Sequence, residues 1–407
     1  MAAYASGPAE TRSIVTALLP IMAAVFVAFL VTGIAMPVLP LHVHDRLGLG
    51  AFVVGLVAGA QFTASLISRF GAGSYADRRG GKRAVVAGLL LAAAAGLIYF
   101  LSLRFVGAPV TSATILLVGR AVLGGAESFI ITGALSWGLA LGGPENAGKV
   151  MAWVGTAMYV AFAVGAPTGS ALYAAYGFEA IALATTLVPL VTLPLVLPRP
   201  TVAPTVHTHR PSFAKVVGAV WAPGVGLAFS SVGFGAITTF AVLLFAQRGW
   251  SLAWLALTVF ATAFVAARLL FGHLADKIGG ARVALVSALI EAVGLALIWL
   301  SPWGALALFG AIVTGFGYSL VYPGFGVEAV RRAPAESRGL AMGAYTAFLD
   351  LALGLANPAL GLVASRAGMG AVFLASALVV TCSAAVAVRL LNSRHVERAS
   401  GLEISTS

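Results

Sequence analysis

An arginine and a glutamate lie seven residues apart inside one long apolar stretch, at Arg120 and Glu127. Seven residues make nearly two turns of an α-helix, so both side chains fall on one helix face, about 10 Å apart. Gly124 lies between them on that face and leaves room beside them. An ionisable side chain at the centre of a bilayer costs roughly 2.5–3.5 kcal/mol, so it usually faces a cavity or a partner. The pair therefore indicates either a site for protons or substrate, or a structural ion pair between helices.

Two further acids also lie in apolar surroundings. Asp350 is the only charged residue in 339–365. It has either a functional role or a structural hydrogen bond, for example to Gln61. Glu328 precedes Arg331 by one helical turn, which predicts a local ion pair.

A histidine-rich cluster follows the first apolar stretch, at His42, His44 and Asp45. Imidazole and carboxylate groups are metal ligands. A hydrated cluster at the membrane surface is the preferred interpretation, so the sequence predicts no metal site and no cofactor.

The composition is that of a membrane protein. Of 407 residues, 60% are hydrophobic and 9% are charged, whereas soluble domains carry about 25% charged residues. A surface this poor in charge cannot face water over most of its area. The net charge of +11 could suggest a nucleic-acid partner, but the charges form short clusters between apolar runs. They are interpreted as topological signals, and no nucleic-acid binding is predicted.

The apolar runs predict an all-α membrane protein with twelve transmembrane helices, because a spanning helix needs about 20 apolar residues. The predicted helices cover residues 14–40, 50–69, 84–104, 112–140, 149–173, 178–198, 214–246, 251–271, 282–301, 304–330, 338–364 and 369–391. Glycines four residues apart, at Gly55 and Gly59 and at Gly165 and Gly169, predict close approach of helix backbones.

A proline-rich polar segment divides the predicted helices into two bundles. The predicted domains are an N-terminal bundle at 1–198, a cytoplasmic linker at 199–213, a C-terminal bundle at 214–391 and a cytoplasmic tail at 392–407. With both termini inside, nineteen Lys and Arg residues fall on the cytoplasmic side and four on the other. This asymmetry follows the positive-inside rule and predicts a multi-pass protein of the bacterial inner membrane, with both termini cytoplasmic.

The two halves contain an internal repeat. The segment RFGAGSYADRRGGKR begins at Arg69, and RLLFGHLADKIGGAR begins at Arg268. The aligned residues are 199 positions apart, about half the chain, as a duplication of six helices requires.

At these residues the sequence resembles the major facilitator superfamily, whose signature between helices 2 and 3 is roughly G-x-L-A-D-R-x-G-R-K-x. GFGYSLVYPGFGVEAV and FLDLALG are similar to helices 10 and 11 of its efflux-like YhhS-type branch. The resemblance implies the fold of that family, two pseudo-symmetric six-helix bundles. It also implies a cytoplasmic latch, in which Asp77 docks near Arg338 and Asp276 near Lys149; a plain topological charge cluster is the alternative. The latch residues are Gly73, Asp77, Arg78, Gly80, Arg83, Gly272, Asp276, Lys277, Gly279 and Arg282.

The resemblance further implies that helices 1, 4, 7 and 10 line a central cavity. Glu127 is then the first candidate for a proton or substrate site, Arg120 is its charge partner, and Asp350 is the second candidate. Helix 282–301 is implied to face lipid, and Glu291 within it is assigned no role. The aromatic candidates for the cavity wall are Phe26, Phe129, Phe234, Phe240, Phe316, Tyr318 and Tyr322.

The predicted function is secondary transport by alternating access, as proton-coupled efflux of a small organic molecule. Alternatives are proton-coupled uptake of a sugar or organic acid, and a non-transporting sensor or scaffold. The chain lacks a G-x-x-x-x-G-K-[ST] loop and an evident nucleophile motif, so no ATP-driven or enzymatic activity is predicted. The predicted partners are a small-molecule substrate, protons and the lipid bilayer, and the predicted state is a monomer.

Overall fold

The structure, a computed structural model, describes residues 8–142, 147–201, 213–333 and 338–404. Most of the predicted linker and the end of the predicted tail lie outside these residues. In the first half the helices are α1 (Pro8–Ala35), α2 (Ala51–Arg79), α3 (Gly81–Leu103) and α4 (Pro109–Gly142), followed by the helical segment Ala147–Val196. In the second half they are α7 (Phe213–Gln247), α8 (Leu255–Phe271), α9 (Gly280–Leu300), α10 (Gly304–Arg332), α11 (Arg338–Ala367) and α12 (Met369–Ile404).

The segment Ala147–Val196 is two helices, because the backbone of Gly177 is not helical (φ 70°, ψ −167°). Gly177 separates α5 (147–176) from α6 (178–196). Among the described residues, ten segments are long and apolar enough to cross a bilayer, and Leu255–Phe271 is a shorter apolar helix. One of the ten contains the break at Gly177, so the segments amount to twelve spans. The predicted all-α, twelve-helix architecture is confirmed.

Replacing Gly177 by alanine is expected to destabilise the protein. A positive φ with ψ near 180° is accessible essentially only to glycine, and forcing another residue into such a region costs about 1–3 kcal/mol. Gly155→Ala is the matched control, because Gly155 is helical and has open space where a Cβ would lie. Thermal unfolding in detergent should show a lower Tm for Gly177→Ala alone. Equal Tm values for the two variants would contradict this reading of the turn.

The chain forms two compact units. Unit 1 consists of Met1–Val38 and Ala60–His207, and unit 2 of Leu39–Gly59 and Thr208–Ser407. The first residues of α2 therefore group with the second half of the chain. The predicted domain boundaries stay a prediction.

Glycines let helix backbones approach closely within each unit, as predicted. In unit 1, a Cβ on Gly165 would lie 2.8 Å from the carbonyl carbon of Gly33, and one on Gly169 would overlap Ile34 of α1. In unit 2, a Cβ on Gly59 would lie 2.9 Å from the carbonyl oxygen of Gly354 in α11. Small residues at such contacts allow backbone packing that larger side chains would prevent.

Candidate functional site

Glu127 is buried where three helices of unit 1 meet. Its side chain is 5% exposed. Oε1 accepts a hydrogen bond from the hydroxyl of Thr32 in α1 (2.6 Å), and Oε2 accepts one from Nε2 of Gln61 in α2 (2.7 Å). Gly124, one turn earlier in α4, packs directly on the Gln61 backbone, where any Cβ would overlap the carbonyl oxygen. The α2–α4 contact thus brings the Gln61 amide to the carboxylate.

Arg120 lies in the same helix and is also buried, at 3% exposure. Its Nε and Nη1 atoms form no hydrogen bond with any of the residues that the structure describes. The guanidinium interacts electrostatically with the buried hydroxyl of Tyr99 in α3, but no hydrogen bond of ordinary geometry joins them. The Tyr99 ring packs on Gly119, next to Arg120. The role of Arg120 as charge partner of Glu127 stays a prediction.

The other predicted acids lie in unit 2. Asp350 of α11 is buried, at 4% exposure. Glu328 near the end of α10 forms the predicted ion pair with Arg331 (3.2 Å), and its Oε1 also accepts a hydrogen bond from the backbone N–H of Ala281 at the start of α9. That second bond satisfies a free N–H of the first turn of α9, so Glu328 has a structural role.

Glu291 of α9 is fully buried, whereas Val286, Leu289 and Val293 of the same helix are exposed. The implied lipid-facing position of this helix stays a prediction, and Glu291 lies on its packed face. Oε2 of Glu291 accepts a hydrogen bond from the Ser230 hydroxyl of α7, whereas Oε1 has no hydrogen-bond partner in the described part of the chain. A Cβ on Gly233 would overlap Oε1, and one on Gly317 would overlap the Glu291 backbone nitrogen. Two glycines thus allow α7 and α10 to enclose this acid.

The internal repeat indicates that Glu291 makes a specific polar contact. Ser230 and Glu291 correspond, at the spacing of 199, to Val31 and Ala92. In unit 1 these two residues pack with Ala95, Leu123 and Ala126 in an apolar cluster. A serine and an acid at positions that are apolar in the other half indicate a specific polar contact, which the repeat alignment could have revealed.

Two of the predicted cavity aromatics contact each other in unit 2. Phe234 of α7 stacks on Tyr318 of α10 (5.5 Å, 11°), and Tyr322 lies one turn further along α10. Phe316 packs edge-on against Phe271, which is 37% exposed. Phe240 is fully buried in unit 2. In unit 1, Phe129 packs on Tyr75, and Phe26 is half-buried.

Two of the four latch glycines have the conformation that a tight turn requires. Gly80 and Gly279 each have a positive φ (89° and 95°) and directly precede α3 and α9. The remaining residues of the first copy differ from the expected loop: Gly73, Asp77 and Arg78 belong to α2, which continues to Arg79 because no residue before Gly80 interrupts it.

The side chains of this region are mostly accessible. Asp77 is half-buried, and its counterpart Asp276 is exposed in the short helix Leu274–Ile278. The basic residues of the latch set, Arg78, Arg83, Lys277 and Arg282, are all exposed, and Gly73 and Gly272 are half-buried. The side chains of Arg338 and Lys149 lie outside the described residues, so the latch stays a prediction.

The histidine cluster has a local structure. His42 is buried in the π-helical turn His42–Arg46, and Nδ1 of His44 hydrogen-bonds the carbonyl oxygen of Leu49 (3.0 Å). In the part of the chain that the structure describes, no three His, Cys, Asp or Glu side chains group closely enough to hold a metal ion.

Comparisons with known proteins agree with this architecture. The model of the family described as Major Facilitator Superfamily matches residues 21–257 and 226–404. The chain is 42% identical over 375 residues to an "Uncharacterized MFS-type transporter" of Salmonella typhimurium, covering 92% of this chain and 96% of that protein. It is 41% identical over 365 residues to a protein of the same description from Pseudomonas aeruginosa, covering 90% of each.

Solved transporter structures share the fold. A bacterial homologue of the human lysosomal transporter Spinster aligns with a TM-score of 0.72 at 14% identity, over 96% of this chain and 98% of that one. The nucleoside transporter NupG aligns with a TM-score of 0.70 at 14% identity, over 92% and 99% of the two chains.

Proposed function

Because the chain belongs to the major facilitator superfamily, we propose that it exports small organic molecules in exchange for protons by alternating access. The protein works as a monomer in the bacterial inner membrane, with both termini in the cytoplasm. Glu127 is the residue that carries the proton. The observation that supports this role most directly is the hydrogen-bonding environment of its carboxylate.

The partners of Glu127 suit both protonation states. A threonine hydroxyl both donates and accepts hydrogen bonds. The Thr32 hydroxyl donates to the carboxylate, and it also lies 3.4 Å from the carbonyl oxygen of Ala28. When Oε1 carries a proton, it can donate to Thr32, whose own hydrogen then turns to Ala28. Gln61 donates to Oε2 in either state.

This arrangement suits reversible proton exchange. A buried polar group that loses its partner costs about 1–3 kcal/mol. Glu127 can gain or lose a proton without leaving such a group behind. The charge of Glu127 can therefore change during a transport cycle while its contacts with Thr32 of α1 and Gln61 of α2 persist.

The sign of the pH gradient that drives transport tests this proposal. A panel of toxic amphipathic compounds is first screened for increased tolerance in a strain that overproduces the protein. A compound from that screen is then offered to proteoliposomes. Exchange predicts accumulation when the lumen is acidic, whatever the orientation of the protein, because outward proton flow then drives substrate inward. Accumulation only when the outside is acidic would indicate symport and overturn the proposal.

A further inference from the structure

One face of α8 and one face of α10 form an aromatic cluster that ends in a cation. Phe260, Phe264 and Arg268 recur every four residues on α8, and Tyr318 and Tyr322 do so on α10. The Tyr318 ring lies 6.1 Å from that of Phe260 and 5.9 Å from that of Phe264. These five residues are called the aromatic–arginine cluster below.

The cluster is closed at one end and open at the other. Phe260, Phe264 and Tyr318 are at most 2% exposed. Arg268 and Tyr322 are half-buried. Arg268 lies in the last turn of α8, which the charge pattern assigns to the cytoplasmic side. An exporter collects its substrate from that side.

The guanidinium group is held by rings rather than by hydrogen bonds. Its Cζ atom is 5.7 Å from the centre of the Phe264 ring and 6.0 Å from that of Tyr322. Both distances fall within the range of cation–π attraction. Among the side chains that the structure describes, none forms a hydrogen bond or ion pair with Arg268. Its N–H donors, which match a carboxylate in geometry, are therefore available.

The hydroxyl groups near the half-buried end of the cluster already donate their hydrogens to other protein atoms. Thr346 donates its hydrogen to the carbonyl oxygen of Met342 (2.9 Å), so Tyr322 must be the donor in its hydrogen bond with Thr346 (2.9 Å). The Tyr345 hydroxyl donates to the backbone oxygen of Tyr322 (2.8 Å). These bonds hold the rings in place and leave Arg268 as the available donor.

From this geometry we propose that Arg268 binds the carboxylate of an aromatic organic anion, whose ring packs beside Tyr322. The substrates of the proposed export would accordingly be aryl carboxylates. This inference rests on the proposed function, but the binding step can be measured separately from transport. The same donors could contact the phosphate of an anionic lipid, and the experiment separates these two ligands.

The test compares binding of 1-naphthoate and its neutral amide, 1-naphthamide, to the full chain purified in detergent and stripped of lipid. Calorimetry should show naphthoate binding about tenfold or more tighter, because a hydrogen bond to a charged group contributes about 1.5–3 kcal/mol. Arg268→Gln should remove that difference. Arg268→Lys keeps the charge but loses the planar fork, so it should bind naphthoate with intermediate affinity.

Arg389→Gln is the matched control. Arg389 of α12 also lies over an aromatic ring, with its Cζ atom 5.7 Å from the centre of the Trp221 ring of α7. Both of these residues are exposed, unlike Arg268 and its rings. This variant should bind naphthoate as the wild type does. Equal affinities for naphthoate and naphthamide, or unchanged binding in Arg268→Gln and Arg268→Lys, would overturn the inference.

Two further outcomes identify which proposal fails. If phosphatidylglycerol in nanodiscs shows Arg268-dependent binding and naphthoate does not, Arg268 is a lipid contact and the inference is wrong. If naphthoate binds through Arg268 but no pH gradient drives any transport, the proposed export fails and the binding site stands. If neutral compounds are exported and naphthoate is not bound, export stands and the assignment of the substrate class falls.

Discussion

Proteoliposomes that contain the Glu127→Gln variant are expected to lose pH-driven accumulation of substrate entirely. A gradient of one pH unit provides about 1.4 kcal/mol, which supports about tenfold accumulation in one-to-one exchange. Glutamine cannot carry the proton, so the inside and outside concentrations should become equal. Exchange of labelled for unlabelled substrate without a gradient should continue, because the glutamine amide can donate to Thr32 while its oxygen accepts from Gln61.

Glu291→Gln provides the control for this experiment. Glu291 is also a buried acid, and it has a hydroxyl partner in Ser230, but it lies in unit 2. The substitution removes a carboxylate of the same kind, so a general effect of losing a buried acid would appear in both variants. If Glu127→Gln still accumulates substrate about tenfold, or if Glu291→Gln alone abolishes accumulation, Glu127 is not the proton carrier.

Gly124→Ala is expected to cause a large loss of stability, with transport falling as well. The new Cβ would overlap the Gln61 backbone oxygen, and backbone atoms cannot move aside as a flexible side chain can. Overpacking a well-packed contact costs about 1–3 kcal/mol. Relief requires α2 and α4 to separate, which would also withdraw the Gln61 amide from Glu127.

The neighbouring glycine is an internal control for this prediction. A Cβ on Gly125 would have its nearest contact, the Ser68 hydroxyl, at 4.0 Å. Gly125→Ala should therefore leave the Tm unchanged or raise it slightly, because alanine favours a helix over glycine by about 1 kcal/mol. Thermal unfolding followed by size-exclusion chromatography compares the two. Similar Tm values for both variants would show that the α2–α4 contact tolerates a methyl group.

The twelve helices, the repeat and the presence of acids inside the spans were predictable from sequence. Hydropathy over about 20 residues depends on local composition, and so does the clustering of basic residues at helix ends. The turn at Gly80 was also predictable from local sequence, because a tight turn with positive φ favours glycine whatever surrounds it. The reach of α2 to Arg79 was missed because charged residues ended the apolar run ten positions before the helix ended.

The neighbours of the acids were decided by tertiary structure alone. These helices are apolar on most faces, so periodicity does not reveal which face meets another helix. Thr32 and Gln61 lie 95 and 66 residues from Glu127 in sequence, and nothing local to any of them predicts the contact. Their approach depends on glycine contacts such as Gly124 against Gln61.

By itself, the sequence determined that the chain is a membrane-embedded, twelve-helix protein with a duplicated half and charged residues inside its spans. Only the tertiary structure decided that α7 and α10 enclose Glu291, that Glu127 has Thr32 and Gln61 as hydrogen-bond partners, and that Arg268 lies over aromatic rings. Insertion into a bilayer selects segments by their own composition, whereas side-chain contacts depend on the packing of helices that are distant in sequence.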